Sequence, residues 1–390
     1  MEGTGKMRLT ASRRSELIIQ SEIRAMSIEC DKVNGINLSQ GVCDLDLPRP
    51  VKTGAQDAIE AGVNHYTRYD GLPELRDAIA SKLLKYNRIE ADPDQNIVVS
   101  GGATGALYSA CMALLDPEDE VIVLEPYYGY HINTLLAVGA VPVYAAMQPP
   151  NWTFDVRRLQ NLITKKTRGL MLNTPANPSG KVFSLDELLG LADFCNAHDL
   201  FIFTDEIYEY FVYDGFKHVS PGSLPGVSER TISVFGYSKT FSITGWRIGY
   251  CVCSERWKDV IGYVNDLIYV CGPSPLQVGV ARGIEELGDD YYRALCNEYQ
   301  NKRDLLCSAL TKIGLTPFVP EGSYYVLADV GSLPGRASKE KAMYLLKSTG
   351  VASVPGSAFY HDQSGESLVR FCFAKRNEIL DEACERLLKL

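Results

Sequence analysis

The chain has 390 residues, 46% of them hydrophobic and 22% charged, with a formal net charge of −9 from 48 acidic and 39 basic side chains. That balance suits a globular protein with a sizeable core, in one large domain or two ordinary ones. It excludes non-specific nucleic-acid binding through the overall field. The 11 cysteines form no C-x-x-C pair, which excludes a disulfide framework and a zinc site and points to free thiols in a reducing cytoplasm. Cys251 and Cys253, one residue apart in an expected strand, are read as facing opposite sides. No apolar run reaches the ~18 residues of a membrane span, and the start "MEGTGKMRLTASRRSEL" lacks the apolar stretch of a signal peptide.

In chain order, a polar start leads to a helix from about Ser15 to Cys30 and a turn at "DKVNG". Apolar spacing near 3.6 predicts amphipathic helices over "VKTGAQDAIEAG" and "LPELRDAIASKLLKYN". From Asn96 onward, short β-branched runs alternate with helical stretches such as "TGALYSACMALL" and "LDELLGLADFCNAHD". The runs are "NIVVS", "EVIVLEP", "VPVYAAM", "RGLMLNTP", "LFIFTDE", "RTISVFGY" and "RIGYCVC". Buried strands alternating with helices predict an α/β fold, a mostly parallel sheet sandwiched by helices. After about Leu276 the pattern shifts to long helices, then "SYYVLADV", "GVASVP", "SLVRFCFA" and a closing helix "NEILDEACERLLKL". This predicts a smaller α+β domain built from both chain ends. The expected divisions are 1–45 joining the small domain, 46–280 as the large domain and 281–390 as the C-terminal small domain.

Ligands of open α/β sheets bind at the carboxyl ends of the strands, so the residues after each run carry the functional signal. "NIVVS" leads into "GGATGAL", where Gly102, Ala103 and Thr104 open a helix whose free N–H groups and dipole favour a phosphate. "EVIVLEP" leads into "YYGYH", whose tyrosines offer an aromatic face. "RGLMLNTP" leads into "ANPSG", where Asn177 is either plain turn chemistry or an amide donor. "LFIFT" ends at Asp205, a carboxylate at the rim of a dry core that needs a cationic or N–H partner. Tyr208 follows three residues on. "VFGYSK" ends at Lys239, and Arg247 closes the segment. Singly, each is an ordinary turn, patch or surface charge. Together they match a ligand with a phosphate, a flat ring, a ring nitrogen, a ring oxygen and an aldehyde, which describes pyridoxal 5′-phosphate.

The stretches "LSQGVCDLDLP", "HYTRYDGLPELRDAI", "GGATGAL", "NTPANPSG", "TDEIYEYFVYDG", "SKTFSITGWRIGY" and "SLVRFCFA", in this order, resemble the class I/II aminotransferases, fold-type I pyridoxal-phosphate enzymes. The resemblance implies that Lys239 forms the internal aldimine and moves a proton at the substrate α-carbon. It implies that Asp205 pairs with the pyridine nitrogen, that Tyr208 and Asn177 hydrogen-bond the ring's phenolic oxygen, and that Tyr128 stacks on the ring. The phosphate would rest on the N–H groups of Ala103 and Thr104, after the Gly102 turn, with Arg247 and the Ser238 or Thr104 hydroxyl nearby. Arg370 would fork onto the substrate α-carboxylate, with the Gly41 backbone close to it. Tyr66 would reach the phosphate of the neighbouring subunit, which implies a homodimer. Many relatives carry serine three positions before the lysine; here Gly236 stands there.

The expected activity is transfer of an amino group from an L-amino acid to a 2-oxo acid. The alternative on the same fold is a carbon–sulfur lyase, and a third reading is a non-enzymatic cofactor-binding regulator. The side-chain pocket is not legible. Arg13, Arg14 and Arg68 lie near the expected regions, but none is singled out as a second cation, and "NDLIYVCGPSP" is expected to line the pocket with apolar groups.

Overall fold

In a computed structural model, the chain is described over residues 9–18 and 20–390. The polar start at 1–8, and Ile19 within the first expected helix, lie outside the described residues. Seven strands form the main sheet: β1 Ile97–Gly101, β2 Glu120–Glu125, β3 Val141–Ala146, β4 Thr167–Asn173, β5 Phe201–Asp205, β6 Thr231–Gly236 and β7 Ile248–Val252. Their spatial order is β1-β7-β6-β5-β4-β2-β3. The pairs β2·β3, β2·β4, β4·β5 and β5·β6 are parallel. β7 runs antiparallel to both its neighbours.

The central strands are apolar on both faces because both faces are covered. Val98, Val123, Phe203 and Val234 pack toward the helices Gly102–Leu114 and Glu255–Tyr269. Leu170, Leu172 and Ile202 pack under the helix Leu185–Ala197, which starts with a reciprocal capping box between Ser184 and Glu187. β3, at the sheet edge, is only partly buried. Cys251 and Cys253 lie in the same core, which corrects the expectation of opposite faces. Residues two apart on a strand share a face.

The expected single helix over 15–30 is two helices, Arg13–Leu17 and Glu22–Lys32. Ile18 and Ser21 are extended, and the Ser21 hydroxyl accepts from the Ile23 N–H to cap the second helix. Apolar periodicity runs on across such a break, so it did not mark it.

The smaller unit carries an antiparallel sheet in the order Val354–Pro355, Leu368–Cys372, Tyr325–Asp329, Thr316–Phe318. Chain ends meet there. Ile36–Asn37 pairs in parallel with Val351–Ala352, and Met26, Cys30 and Leu38 share a core with Leu345, Phe371 and Leu380. The helix Ser274–Glu286 spans position 280, where the sequence reading divides the chain. Its Val280 and Ala281 pack in a core with Val51 and Leu75 of the large unit.

Candidate active site

One edge of the main sheet collects the chemistry. Gly101, Asn173, Asp205 and Gly236 end β1, β4, β5 and β6 at that edge. β7 runs the other way, so its first residue is there too, and Arg247 directly precedes it. The edge borders a cavity of about 440 Å³ whose walls include Gly41, Ala103, Thr104, Tyr128, Asn177, Asp205, Tyr208, Ser238, Lys239 and Arg247. Ten of the sequence-predicted residues therefore meet in one place, and Gly102 lies directly beneath.

The Lys239 Nζ donates to the Gly41 carbonyl at 3.0 Å, and the Tyr324 hydroxyl donates to the same oxygen at 3.0 Å. Burial, the dominant influence, pushes the Lys239 pKa below its ordinary value, and the Arg247 charge adds in the same direction. The lowered pKa makes the neutral, nucleophilic form of the amine easier to reach. The Gly41 backbone gets this close because it lacks a side chain. A Cβ there would lie 1.8 Å from the Tyr325 hydroxyl.

Asp205 accepts from the Ile207 N–H at 3.2 Å through Oδ1, while its Oδ2 lies 2.8 Å from the His131 Nε2. Asn173 Nδ2 donates to the Asp205 carbonyl at 2.8 Å, across the β4·β5 register. The carboxylate is thus fixed in orientation from both sides. Tyr208 and Tyr325 hydroxyls lie 3.1 Å apart. Burial raises the Tyr208 pKa, so its phenol keeps its proton. Tyr128 stacks on Tyr130 with ring centroids 5.3 Å apart and meets His131 edge-on.

The helix Gly102–Leu114 opens onto the cavity without a side-chain cap, leaving N–H groups for a ligand. Arg247 spans its mouth: Nη2 donates to the Gly101 carbonyl at 3.2 Å and Nη1 to the Thr244 carbonyl at 3.0 Å. Gly102, at φ +81°, adopts a backbone conformation that strains any side chain, and a Cβ there would meet the Arg247 guanidinium at 2.4 Å. Gly236 pairs with Gly249, and a Cβ on it would lie 2.8 Å from the Ile207 Cδ1. Ile207 therefore fills the space that a serine side chain would need.

Arg370 is wholly buried on the strand Leu368–Cys372. Its Nη1 donates to the Asn177 Oδ1 at 2.8 Å and its Nη2 to the Ser39 carbonyl at 2.6 Å. Its Nε is buried with no hydrogen-bond partner among the described residues. An unpaired buried guanidinium nitrogen is costly. Tyr66 stands off this cavity and is 82% exposed.

His131, Asn173, Tyr324 and Tyr325 were missed in the sequence. His131 lies three residues beyond Tyr128, a helical neighbour, and Asn173 is the last residue of a strand already read as ending at the site. Those two had a signal; the tyrosines on the small sheet had none. "NDLIYVCGPSP", expected to line the pocket, contributes no residue to this cavity. Instead, Tyr269 lies against Gly101 and Gly105, and Leu267 is 85% exposed.

Residues 33–387 match the family model described as aminotransferase class I and II. The chain is 36% identical over 387 residues to an aspartate aminotransferase of Pyrococcus abyssi, covering 98% of each. It is 35% identical over 380 residues to kynurenine–oxoglutarate transaminase 3 of Rattus norvegicus, covering 90% of this chain and 84% of that one. Among solved structures, Escherichia coli YbdL, described with a methionine aminotransferase function, superposes with a TM-score of 0.94 at 32% identity, covering 98% of this chain and 100% of that one.

Proposed function

The chain belongs to the class I and II aminotransferases, a family that uses pyridoxal 5′-phosphate, and from that premise we propose how its own residues hold the cofactor and an L-amino acid. The observation that carries the proposal is Lys239, a half-buried amine on the cavity wall with a carbonyl for its hydrogen-bond partner.

The residues fit the cofactor on two counts and its amino-acid substrate on a third. The uncapped helix mouth with Arg247 across it suits a phosphate. Asp205, held by His131 and the Ile207 N–H, suits a protonated ring nitrogen. The orphaned Nε of Arg370 suits a carboxylate. When bound, the cofactor supplies an aldehyde for the amino group and an electron-accepting ring.

Ala103 and Thr104 N–H groups, Arg247 and the Ser238 hydroxyl would hold the phosphate, with Gly102 allowing the close turn. Asp205 would keep a proton on the ring nitrogen. Tyr208 and Asn177 would donate to the ring oxygen, and Tyr128 would cover one ring face. Arg370 would fix the α-carboxylate and so orient the α-carbon, with Gly41 leaving room beside it. The Lys239 amine would take the α-proton and return it, with the tyrosine-rich wall limiting water.

A homodimer with Tyr66 reaching the partner's site accords with its exposure, and with exposed Tyr263 and Leu267 on the helix Glu255–Tyr269. Tyr69 meets Tyr263 of that helix with ring centroids 5.7 Å apart, and the Ser274 hydroxyl at the start of the next helix donates to the His65 carbonyl at 2.5 Å, so the segment carrying Tyr66 runs beside them. The eleven free cysteines support a cytoplasmic setting. No helix among the described residues is long and apolar enough to cross a membrane.

The test is a panel of L-amino acid donors against 2-oxoglutarate and pyruvate, with oxo product and ammonia followed together. Amino transfer without ammonia supports the reading. Ammonia and pyruvate released from cysteine-type donors, with no amino transfer, would replace it with a carbon–sulfur lyase.

A further inference from the structure

Two phenols, Tyr208 and Tyr325, line the same cavity, and their hydroxyls lie 3.1 Å apart. They come from different units. Tyr208 closely follows β5 of the main sheet, and Tyr325 opens the strand Tyr325–Asp329 of the smaller one. Two hydroxyls in contact spend one of their two protons on each other and keep the second for a ligand. The direction of the shared bond decides which phenol serves the cavity.

Hydrogen-bond accounting gives that direction. The Tyr325 hydroxyl is pressed against the backbone of Gly41, where a Cβ would lie 1.8 Å from it. The Gly41 carbonyl already accepts from the Lys239 amine and the Tyr324 hydroxyl, each at 3.0 Å, which uses both its lone pairs. With that carbonyl full, the Tyr208 oxygen at 3.1 Å takes the Tyr325 proton. Charge points the same way. The Arg370 guanidinium lies 4.1 Å from the Tyr325 ring centroid, and a cation beside a phenol makes its O–H the stronger donor. Burial raises both phenols, but the Arg370 charge holds Tyr325 back to about 12, while the main influences on Tyr208 all raise it.

We propose that Tyr325 is a positioning residue whose hydroxyl donates to Tyr208, fixes that phenol and turns its proton toward the ring oxygen of the cofactor. A phenol that accepts one hydrogen bond gives a stronger one. A group on the smaller unit thereby sets the strength of a donor on the larger. The proposal rests on the reading of this cavity as an aminotransferase site in which Tyr208 meets the ring oxygen.

The readout is the visible absorbance of the cofactor-loaded protein, followed against pH as the nitrogen that joins Lys239 to the cofactor loses its proton. A donor at the ring oxygen stabilises the negative charge that this loss leaves there, so weakening the donor raises the midpoint. Tyr325→Phe keeps the ring beneath Arg370 and should raise the midpoint by about 0.4–1.1 pH units, the worth of one hydrogen bond. Placing 3-fluorotyrosine at position 325, a more acidic phenol of nearly the same shape, should lower it. Tyr208→Phe should raise it further than Tyr325→Phe, and the double variant should match Tyr208→Phe alone, because Tyr325 acts through Tyr208. An unchanged or lowered midpoint in Tyr325→Phe, or full addition of the two effects in the double variant, overturns the proposal and leaves amino transfer intact. A Tyr208→Phe protein that titrates like the wild type would remove Tyr208 from the ring oxygen and the proposal with it, while amino donors still turn over. Absence of amino transfer with every donor in the wild type would overturn the aminotransferase reading itself.

Discussion

Lys239 and Arg370 carry separable burdens, and substitution should separate them. Lys239→Ala should leave the protein without a borohydride-fixable cofactor and without turnover. A variant that still traps the cofactor on reduction would move the role to another amine. Arg370→Gln should raise KM about tenfold to a hundred and fifty-fold for every amino donor, since the α-carboxylate is common to all of them and a hydrogen bond to a charged group contributes about 1.5–3 kcal/mol. Acidic donors alone being affected would contradict the assignment. The lysine also predicts a pH effect. Its folded pKa lies below the ordinary value, so between the two values the unfolded state binds more protons and stability rises with pH. Melting of the cofactor-free protein should therefore gain on that of Lys239→Met as pH climbs through that window and fall behind it below. A difference independent of pH would mean that the amine is already solvated. At this scale the sequence was legible where a residue ends a strand or closely follows one, as Asp205 and Lys239 do. It was silent on Tyr325, which lines the cavity, and on Tyr324, which meets the Gly41 carbonyl, because both arrive only after the two chain ends have folded over the sheet.

Two glycines on paired strands, Gly236 and Gly249, do different jobs. A Cβ on Gly249 would meet the backbone of Gly102 and Ala103 at 2.3–2.4 Å, and backbone at the start of a helix cannot step aside. Gly249→Ala should therefore destabilise the protein by about 1–3 kcal/mol, as overpacking does, and loosen its hold on phosphate. Gly236→Ser meets the tip of Ile207, a flexible end that can turn away, so its melting temperature should fall less than that of Gly249→Ala. Equal losses would show that Ile207 is locked. The sequence marked Gly236 as a departure from the family pattern; what it could not express is that Ile207, 29 positions upstream, already occupies the space. Strand order is similarly hidden. The seven runs were all legible, yet only the register between β6 and β7 brings Arg247 round to the helix mouth.

For the molecule as a whole, the exposed apolar band on the helix Glu255–Tyr269 predicts an assembly. Tyr263→Glu combined with Leu267→Glu should halve the mass seen in sedimentation and lower activity with it, because Tyr66 would lose its partner site. A full-activity monomer would exclude a shared site. The pattern of strands and helices revealed the two units and pointed to a smaller one built from both chain ends; which segments of those ends meet followed only from where they pack. The pairing of Ile36–Asn37 with Val351–Ala352 joins segments more than three hundred residues apart. During synthesis the large sheet can form while the ribosome still holds the C-terminus, but the early segment has no strand to join. Met26, Cys30 and Leu38 are left without their core until the chain is nearly finished. Ser39 and Gly41, the groups that meet Arg370 and Lys239, lie just beyond them. The last tenth of the chain to be translated thus sets the time at which the enzyme becomes competent, and a nascent chain stalled before Val351 should need a chaperone over its first helices rather than over its sheet.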